Sequence, residues 1–509
     1  MRRGFMNLSE LLARNGRKYS GKTAVQEKNK DMSYGELDRQ VTKFANALTS
    51  LGVSQGDKVM LFMPNTSSFL ITYFATLRLG GIIVPVSARL TGEELAYMLR
   101  HSEAKVMVID HMLYNSCASL PVKFENVVFV KTGEKVEGWG SFESLLNEGG
   151  NTPIECGTKE DDLATMLYTS GTTGKPKGVL FSNRNILSVA AMMAVEMEMK
   201  PESKMLHIMP LSHSAPLHLF LAAGTYVGAT HCLSPTFTPE LLLESVEKWR
   251  TTHFFGAPVA YLLSAKDPSI NERDLSSMTH WVYGGAPLGK KEVTFMQQAF
   301  KSDRFYCVYG LTEAGPNGTL LLPEEHEEKA GSIGRRAALN AEIKLVNEQG
   351  EEVNTGEPGE IVLRGEGNMV RYDKEPEKTA ETLKDGWLFT GDMAKRDEDG
   401  YYWVIDRKKD MIISGGVNIF PKEIEEVLST HPAVAECAVI GAPHEDWGET
   451  VTAYIAVKDG ESADESEWKS FLQEKVADYK IPKHFHVIDQ LPRNPTGKIL
   501  KHHLRKNHL

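Results

Sequence analysis

The sequence predicts an α/β fold. A large N-terminal domain of doubly wound, mixed and parallel sheets carries a β-rich subdomain, and a small α/β domain follows it at the C-terminus. Three observations lead there. Apolar β-type runs at Lys58–Phe62, 105–109 and 126–130 alternate with stretches of helical periodicity at Ser67–Arg78 and 91–101, the pattern of largely parallel sheets covered by helices. From 341 to 364 and again from 395 to 407 the texture changes to short strands separated by turn signals such as Asn347-Glu348-Gln349-Gly350 and Asp397-Glu398-Asp399-Gly400. After the charged stretch Asp406-Arg407-Lys408-Lys409-Asp410, a compact unit is predicted with helices at 421–429 and 466–476 and strands at 435–441 and 450–457.

Taken in order, the elements carry their own start and stop signals. Residues 8–14 form an amphipathic helix, and Ser33-Tyr34-Gly35-Glu36 is the pattern of a capping box opening a helix that runs towards Leu51, with Gly52 as its stop. The stretches 69–86 and 217–229 are rich in apolar residues. The first is interrupted by Arg78, Gly80, Gly81 and Pro85, and the second falls short of the ~20 residues a membrane span needs, so both are predicted as buried helix and strand rather than as a transmembrane span.

Length and composition narrow the class. At roughly 100–200 residues per domain, 509 residues make a multi-domain chain; 41% of them are hydrophobic and 25% charged, as in an ordinary globular protein. A net charge of −11 argues against a nucleic-acid-coating partner and means that anionic substrates must be drawn in by local fields. The five cysteines, Cys117, Cys156, Cys232, Cys307 and Cys437, are scattered and form no CxxC pair, which speaks for reduced thiols in the cytoplasm rather than disulfides or zinc. Arg2 and Arg3 are followed by no apolar signal-peptide core. A domain boundary is placed at 406/407, dividing residues 1–406 from residues 407–509.

The strongest chemical signal is Tyr168-Thr169-Ser170-Gly171-Thr172-Thr173-Gly174-Lys175-Pro176-Lys177-Gly178, directly after the apolar run Leu163 to Leu167. Three glycines permit close backbone approach, four hydroxyls supply donors and two lysines supply positive charge. Such a loop can cradle phosphates in a nest of backbone N–H groups. It is not the Walker pattern, because Lys175 is followed by Pro176 rather than by a serine or threonine opening a helix.

This loop resembles the phosphate loop of the adenylate-forming superfamily, which includes acyl-CoA synthetases, firefly luciferase and peptide-synthetase adenylation domains. Further segments match that family in order and spacing over nearly the whole chain: Tyr309-Gly310-Leu311-Thr312-Glu313, Phe389-Thr390-Gly391-Asp392, Asp406 to Asp410 with Ser414-Gly415-Gly416-Val417-Asn418-Ile419-Phe420-Pro421, and Pro492-Arg493-Asn494-Pro495-Thr496-Gly497-Lys498. The resemblance implies a two-step reaction using ATP, Mg²⁺ and coenzyme A. A carboxylate attacks the α-phosphorus of ATP to give acyl-adenylate and pyrophosphate, and a thiol then attacks the acyl carbon and releases AMP.

What the resemblance implies for single residues is chemically sensible. Glu313 matches the Mg²⁺ ligand, and Thr169 adds a hydroxyl to the same ion. Lys498 matches the catalytic lysine that reaches the carboxylate and α-phosphate oxygens, a preorganised cation where charge develops. Asp392 matches the acceptor of both ribose hydroxyls, and Arg407 a cation near ribose and phosphate. Gly285-Ala286-Pro287 and Tyr309 resemble the adenine pocket, and Gly310 and Thr312 of the second signature are expected to bind the nucleotide as well. Lys409 matches the hinge about which a mobile C-terminal domain rotates between half-reactions, bringing Ser414, Gly415 and Gly416 to the CoA tunnel.

The acid is less legible. His213, in Pro210-Leu211-Ser212-His213, matches a gate residue beside the carboxylate, and the apolar stretch 214–226 is expected to line the acyl pocket together with Tyr283, Gly284 and Val308. The usual aspartate that would hold an amino acid's ammonium is absent from 211–220, which argues against a peptide-synthetase adenylation domain. Tyr283 stands where serine is common, and Val308 where glycine or alanine is common; bulk at either place would shorten or redirect the tunnel. The segment from Gly318 to Gly334 resembles fatty-acyl-CoA synthetases, so a medium- or long-chain fatty acid is the expected substrate. An aryl or other apolar acid is the alternative, and a luciferase-type oxygenase or a catalytically silent binding relative ranks below both. Retention of Lys498, Glu313, Asp392 and Thr169 speaks against a silent relative. The expected partners are therefore small molecules, with neither nucleic acid nor a transmembrane span; a homodimer is compatible with the sequence.

Overall fold

The alternating apolar runs become two large sheets. A computed structural model of the protein describes residues 7–154, 157–169, 176–414, 417–445, 447–473, 475–493 and 499–506. In the first sheet, Ile82–Val86, Lys58–Phe62, Val106–Ile109 and Val128–Lys131 lie side by side and parallel. The antiparallel hairpin Leu163–Thr169 and Lys177–Ser182 extends this sheet, and the short strand Arg371–Tyr372 pairs antiparallel with the hairpin's outer strand. In the second sheet, Lys204–His207, His253–Gly256, His280–Gly284 and Phe305–Tyr309 run parallel, with antiparallel strands at its edges. This is the α/β architecture expected from the sequence.

Parallel strands need cover on both faces, and the helices supply it. Every residue of the helix Ser67–Arg78 except Ser68 is buried, so the apolar stretch 69–86 is a core helix followed by the strand Ile82–Val86. No helix among the described residues is long and apolar enough to cross a membrane. The helix Tyr34–Ser50 begins as predicted, with Ser33 Oγ accepting the Glu36 N–H at 3.2 Å, but the Glu36 carboxylate pairs with Arg39 rather than closing the box. A complete capping box opens Gly92–Ser102 instead, between Thr91 and Glu94. The apolar stretch after His213 winds as a π-helix, Ala215–Ala222, before continuing as the α-helix Ala223–Val227.

The chain divides into two compact units, Met1–Ile343 with Leu363–Phe389 and Lys344–Val362 with Thr390–Leu509. The sequence-derived boundary at 406/407 falls inside the second, at the end of the strand Tyr402–Arg407. The second unit has its own core, in which Ile412, Ile424, Leu428, Val439, Ile455, Trp468 and Leu472 pack together. Its long hairpin, Val434–His444 with Gly448–Val457, exceeds the predicted strands because pairing continues to His444 opposite Gly448.

Candidate active site

The phosphate loop closes a hairpin. Thr169 is paired with Lys177 and Tyr168 with Gly178 at the ends of the two strands, so the chain leaves the loop into a strand, where a Walker loop would enter a helix. The loop residues Ser170, Gly171, Thr172, Thr173, Gly174 and Lys175 lie outside the described residues. Its two ends are propped by the helix Gly92–Ser102: Tyr97 OH donates to Pro176 O at 3.3 Å, and Tyr168 OH donates to Met98 O at 3.2 Å and contacts His101 Nδ1 at 2.9 Å. Thr169 Oγ1 is buried and has no hydrogen-bond partner among the described residues. A buried hydroxyl without a partner is costly unless a ligand completes it, and a hydroxyl oxygen is a donor of the kind a hard cation such as Mg²⁺ takes.

Glu313 follows from the second sheet. Gly284 lies opposite Val308 in neighbouring parallel strands, and a Cβ on Gly284 would come within 2.6 Å of Val308 O, so glycine lets the strands close up. Gly285-Ala286-Pro287 and Tyr309-Gly310 therefore leave the sheet together at its carboxyl edge, where open α/β sheets bind ligands. Gly310 has the same steric reason, since a Cβ there would sit 2.0 Å from Pro316 O. The tight turn that follows presents Glu313 half-exposed. Its backbone carbonyl accepts the Met369 N–H at 2.7 Å, and its carboxylate accepts the Tyr372 O–H at 2.9 Å. The Lys177 ammonium stands 4.0 Å from the centre of the same tyrosine ring. Lys177 and Glu313, far apart in sequence, are thus linked through one buried tyrosine, and Thr169 pairs with Lys177 across the hairpin. Thr312 shares a 3.0 Å hydrogen bond with Ser214, which joins the second signature to the segment after His213.

The acyl-pocket residues separate. Gly284 and Val308 face the apolar cluster that holds Val282, Phe220 and, at its rim, Phe255. Tyr283 points to the opposite face of the sheet, as alternation along a strand requires; it is fully buried, and its hydroxyl meets His326 Nε2 at 3.0 Å. It is not brought together with Val308 and Gly284. His213 is half-buried at the start of the π-helix, and burial, helped by the charge of Arg89, holds its imidazole below the ordinary histidine range, favouring the neutral ring.

In the second unit, Asp392 and Arg407 lie opposite each other on paired strands, and Arg407 Nε meets Asp392 Oδ1 at 2.5 Å. Asp392 is buried, and its N–H donates to Thr390 Oγ1 at 3.1 Å. Lys408 pairs with Glu360 at 2.8 Å, while Lys409 is exposed in the turn that Asp410 and Met411 close by donating to Arg407 O. Ser414 pairs with Val417 in a short hairpin; Gly415, Gly416 and Lys498 lie outside the described residues.

Sequence reasoning did not single out Tyr372, and it named Ser214 only as the start of the stretch 214–226 expected to line the acyl pocket, not as a partner of Thr312. The only signal for Tyr372 was its position just before the Asp373-Lys374-Glu375-Pro376 turn, and nothing local points to Glu313. The π-winding of Ala215–Ala222 was likewise unmarked; irregular helix of this kind recurs at functional sites.

The hairpin at 163–182, the Glu313 turn at a sheet's carboxyl edge and the Asp392–Arg407 pair carry the segments that resemble the adenylate-forming class. The AMP-binding enzyme family profile matches residues 12–373, and the profile of the AMP-binding enzyme C-terminal domain matches residues 423–498. The chain belongs to the AMP-binding enzyme family. It is 36% identical to a feruloyl-CoA synthase from an Amycolatopsis species over 95% of each chain. It is 32% identical to a long-chain-fatty-acid–CoA ligase from Bacillus subtilis, over 98% of this chain and 94% of that one. Its fold superposes on ATP-bound MatB from Rhodopseudomonas palustris with a TM-score of 0.87, at 30% identity and 99% coverage of both chains.

Proposed function

We propose that this protein is an AMP-forming ligase that joins an apolar carboxylic acid to coenzyme A. The observation that carries this reading is the linkage of Lys177, Tyr372 and Glu313, with Thr169, the strand partner of Lys177, carrying a buried hydroxyl that has no partner among the described residues. That group of side chains suits the β- and γ-phosphates and their counter-ion. Mg²⁺, when bound by Glu313 and Thr169, supplies positive charge to the phosphoryl oxygens. The remaining work belongs to the chain. The phosphate loop, with Lys175 and Lys177, holds the pyrophosphate. Tyr309 and Gly285-Ala286-Pro287 receive the adenine, and Asp392, with Arg407 beside it, accepts the ribose hydroxyls. Lys498 brings the acid's carboxylate and the α-phosphate together, so that one carboxylate oxygen bonds to phosphorus as pyrophosphate leaves. In the second step the CoA sulfur bonds to the acyl carbon and AMP leaves, with Lys409 as the hinge between steps and Ser414, Gly415 and Gly416 lining the CoA path.

A neutral His213 suits the acid's carboxylate as a hydrogen-bond donor without competing for its charge. The apolar face around Val308, Val282 and Phe220 supports an apolar tail, and the resemblance of 318–334 to fatty-acyl enzymes favours a medium- or long-chain fatty acid. The feruloyl-CoA synthase relative favours a second reading, an aryl acid. AMP release that needs both ATP and CoA, measured across acids from acetate to oleate plus benzoate and coumarate, separates the two. A maximum at eight carbons or longer supports the fatty acid, and a maximum on coumarate or benzoate supports the aryl acid. Light emission or oxygen uptake in place of thioester would reveal an oxygenase. ATP left unconsumed with every acid would leave a silent relative.

A further inference from the structure

We propose that Tyr372 is a positioning residue for the adenylation step, one side chain that orients both the Glu313 carboxylate and the Lys177 ammonium; the proposal rests on Glu313 being the Mg²⁺ ligand in the function above. Tyr372 is 3% exposed, and its two ends have different chemistry. The hydroxyl donates to Glu313 Oε1 at 2.9 Å, a charge-assisted bond that fixes one carboxylate oxygen and leaves the other for the ion. The ring face carries the Lys177 ammonium at 4.0 Å. A tyrosine side chain is rigid between ring and hydroxyl, so the position of the ring face offered to Lys177 is fixed by the same bond that holds Glu313.

The backbone holds Tyr372 just as firmly. It lies opposite Val179 on the hairpin's outer strand. On either side of it, Val370 N–H donates to Leu180 O at 2.8 Å and Asp373 N–H donates to Gly178 O at 2.7 Å. Its own N–H donates to Thr379 Oγ1 at 3.0 Å, and the neighbouring Asp373 pairs with Lys58 at 3.1 Å. Through Met369, the same segment also binds the Glu313 carbonyl. The short strand is therefore stapled both to the exit of the phosphate loop and to the Glu313 turn, and Tyr372 is the side chain that spans the two.

Core packing alone would explain burial of the ring, and Tyr372→Phe separates packing from positioning. It keeps the ring and its contact with Lys177 and removes only the hydroxyl. The test is the dissociation constant of Mn²⁺ from the protein–ATP complex, read from the free Mn²⁺ resonance in the full-length chain, for wild type, Tyr372→Phe, Tyr372→Leu and Glu313→Gln. Loss of one hydrogen bond to a charged group is expected to raise that constant about tenfold in Tyr372→Phe, with an unchanged melting temperature. KM for the acid and the rate from supplied acyl-AMP should stay at wild-type values. Tyr372→Leu should add a further weakening of ATP binding of roughly threefold through Lys177. A Mn²⁺ constant for Tyr372→Phe within about twofold of wild type, while Glu313→Gln weakens binding tenfold or more, overturns the proposal and spares the function. Wild-type-like binding in Glu313→Gln overturns it from the other side, because the ligand assignment beneath it has failed.

Discussion

The turn that carries Glu313 and the strand pair that carries Asp392 are held by different means. Around Glu313 the main chain itself is crowded: Gly310 has no room for a Cβ against Pro316 O, Gly284 none against Val308 O, and a backbone hydrogen bond ties the turn to Met369. Around Asp392 two strands pair without such crowding, and charged side chains complete the geometry, Arg407 on Asp392 and Lys408 on Glu360, next to an exposed Lys409. Close-packed backbone resists deformation, whereas ion pairs with a partly exposed partner hold weakly and are screened by salt. A phosphate site benefits from the first arrangement, since preorganised groups stabilise developing charge without paying for reorganisation. The second arrangement suits the hinge proposed at Lys409.

Substitutions on either side can break that contrast. The largest effect is expected from Lys498→Ala, a loss on the order of 10²–10³ in adenylation with little change in thioester formation from supplied acyl-AMP. Equal losses in both half-reactions would remove Lys498 from the first step. Lys409→Pro should lower thioester formation about tenfold or more while sparing adenylation, because proline fixes φ at the hinge; rapid-quench measurement of the two steps checks it. Gly310→Ala should cost about 1–3 kcal/mol of stability through overpacking against Pro316 O. Calorimetry would register this as a melting temperature lower by several degrees. Asp392→Asn, at the side-chain-built site, should leave the melting temperature close to wild type and raise KM for ATP roughly fivefold, by weakening one charge-assisted acceptor. A large drop in melting temperature for Asp392→Asn, with none for Gly310→Ala, would invert the contrast.

Much of the scaffold was legible because its signals are local. Lys58–Phe62 and Ser67–Arg78 match their predicted bounds, one from an apolar β run and the other from helical periodicity. Glu313, Thr169 and Asp392 are proposed from short motifs whose residues are contiguous. What escaped depends on tertiary contact or on phase. Tyr372 reaches Glu313 across 59 positions, and no pattern within its own strand marks it. Ala215–Ala222 is apolar nearly throughout, so periodicity could not distinguish π from α winding. Tyr283 was grouped with Val308 because both interrupt familiar strings; strand alternation puts them on opposite faces once the register Tyr283 opposite Cys307 is known.

The most direct test is acid-dependent exchange of labelled pyrophosphate into ATP by the wild-type chain, without CoA. A two-step adenylate mechanism predicts exchange that requires the acid and Mg²⁺ but not CoA, followed by stoichiometric AMP release when CoA is added. Exchange that appears only with CoA, or release of ADP and phosphate in place of AMP and pyrophosphate, would contradict it.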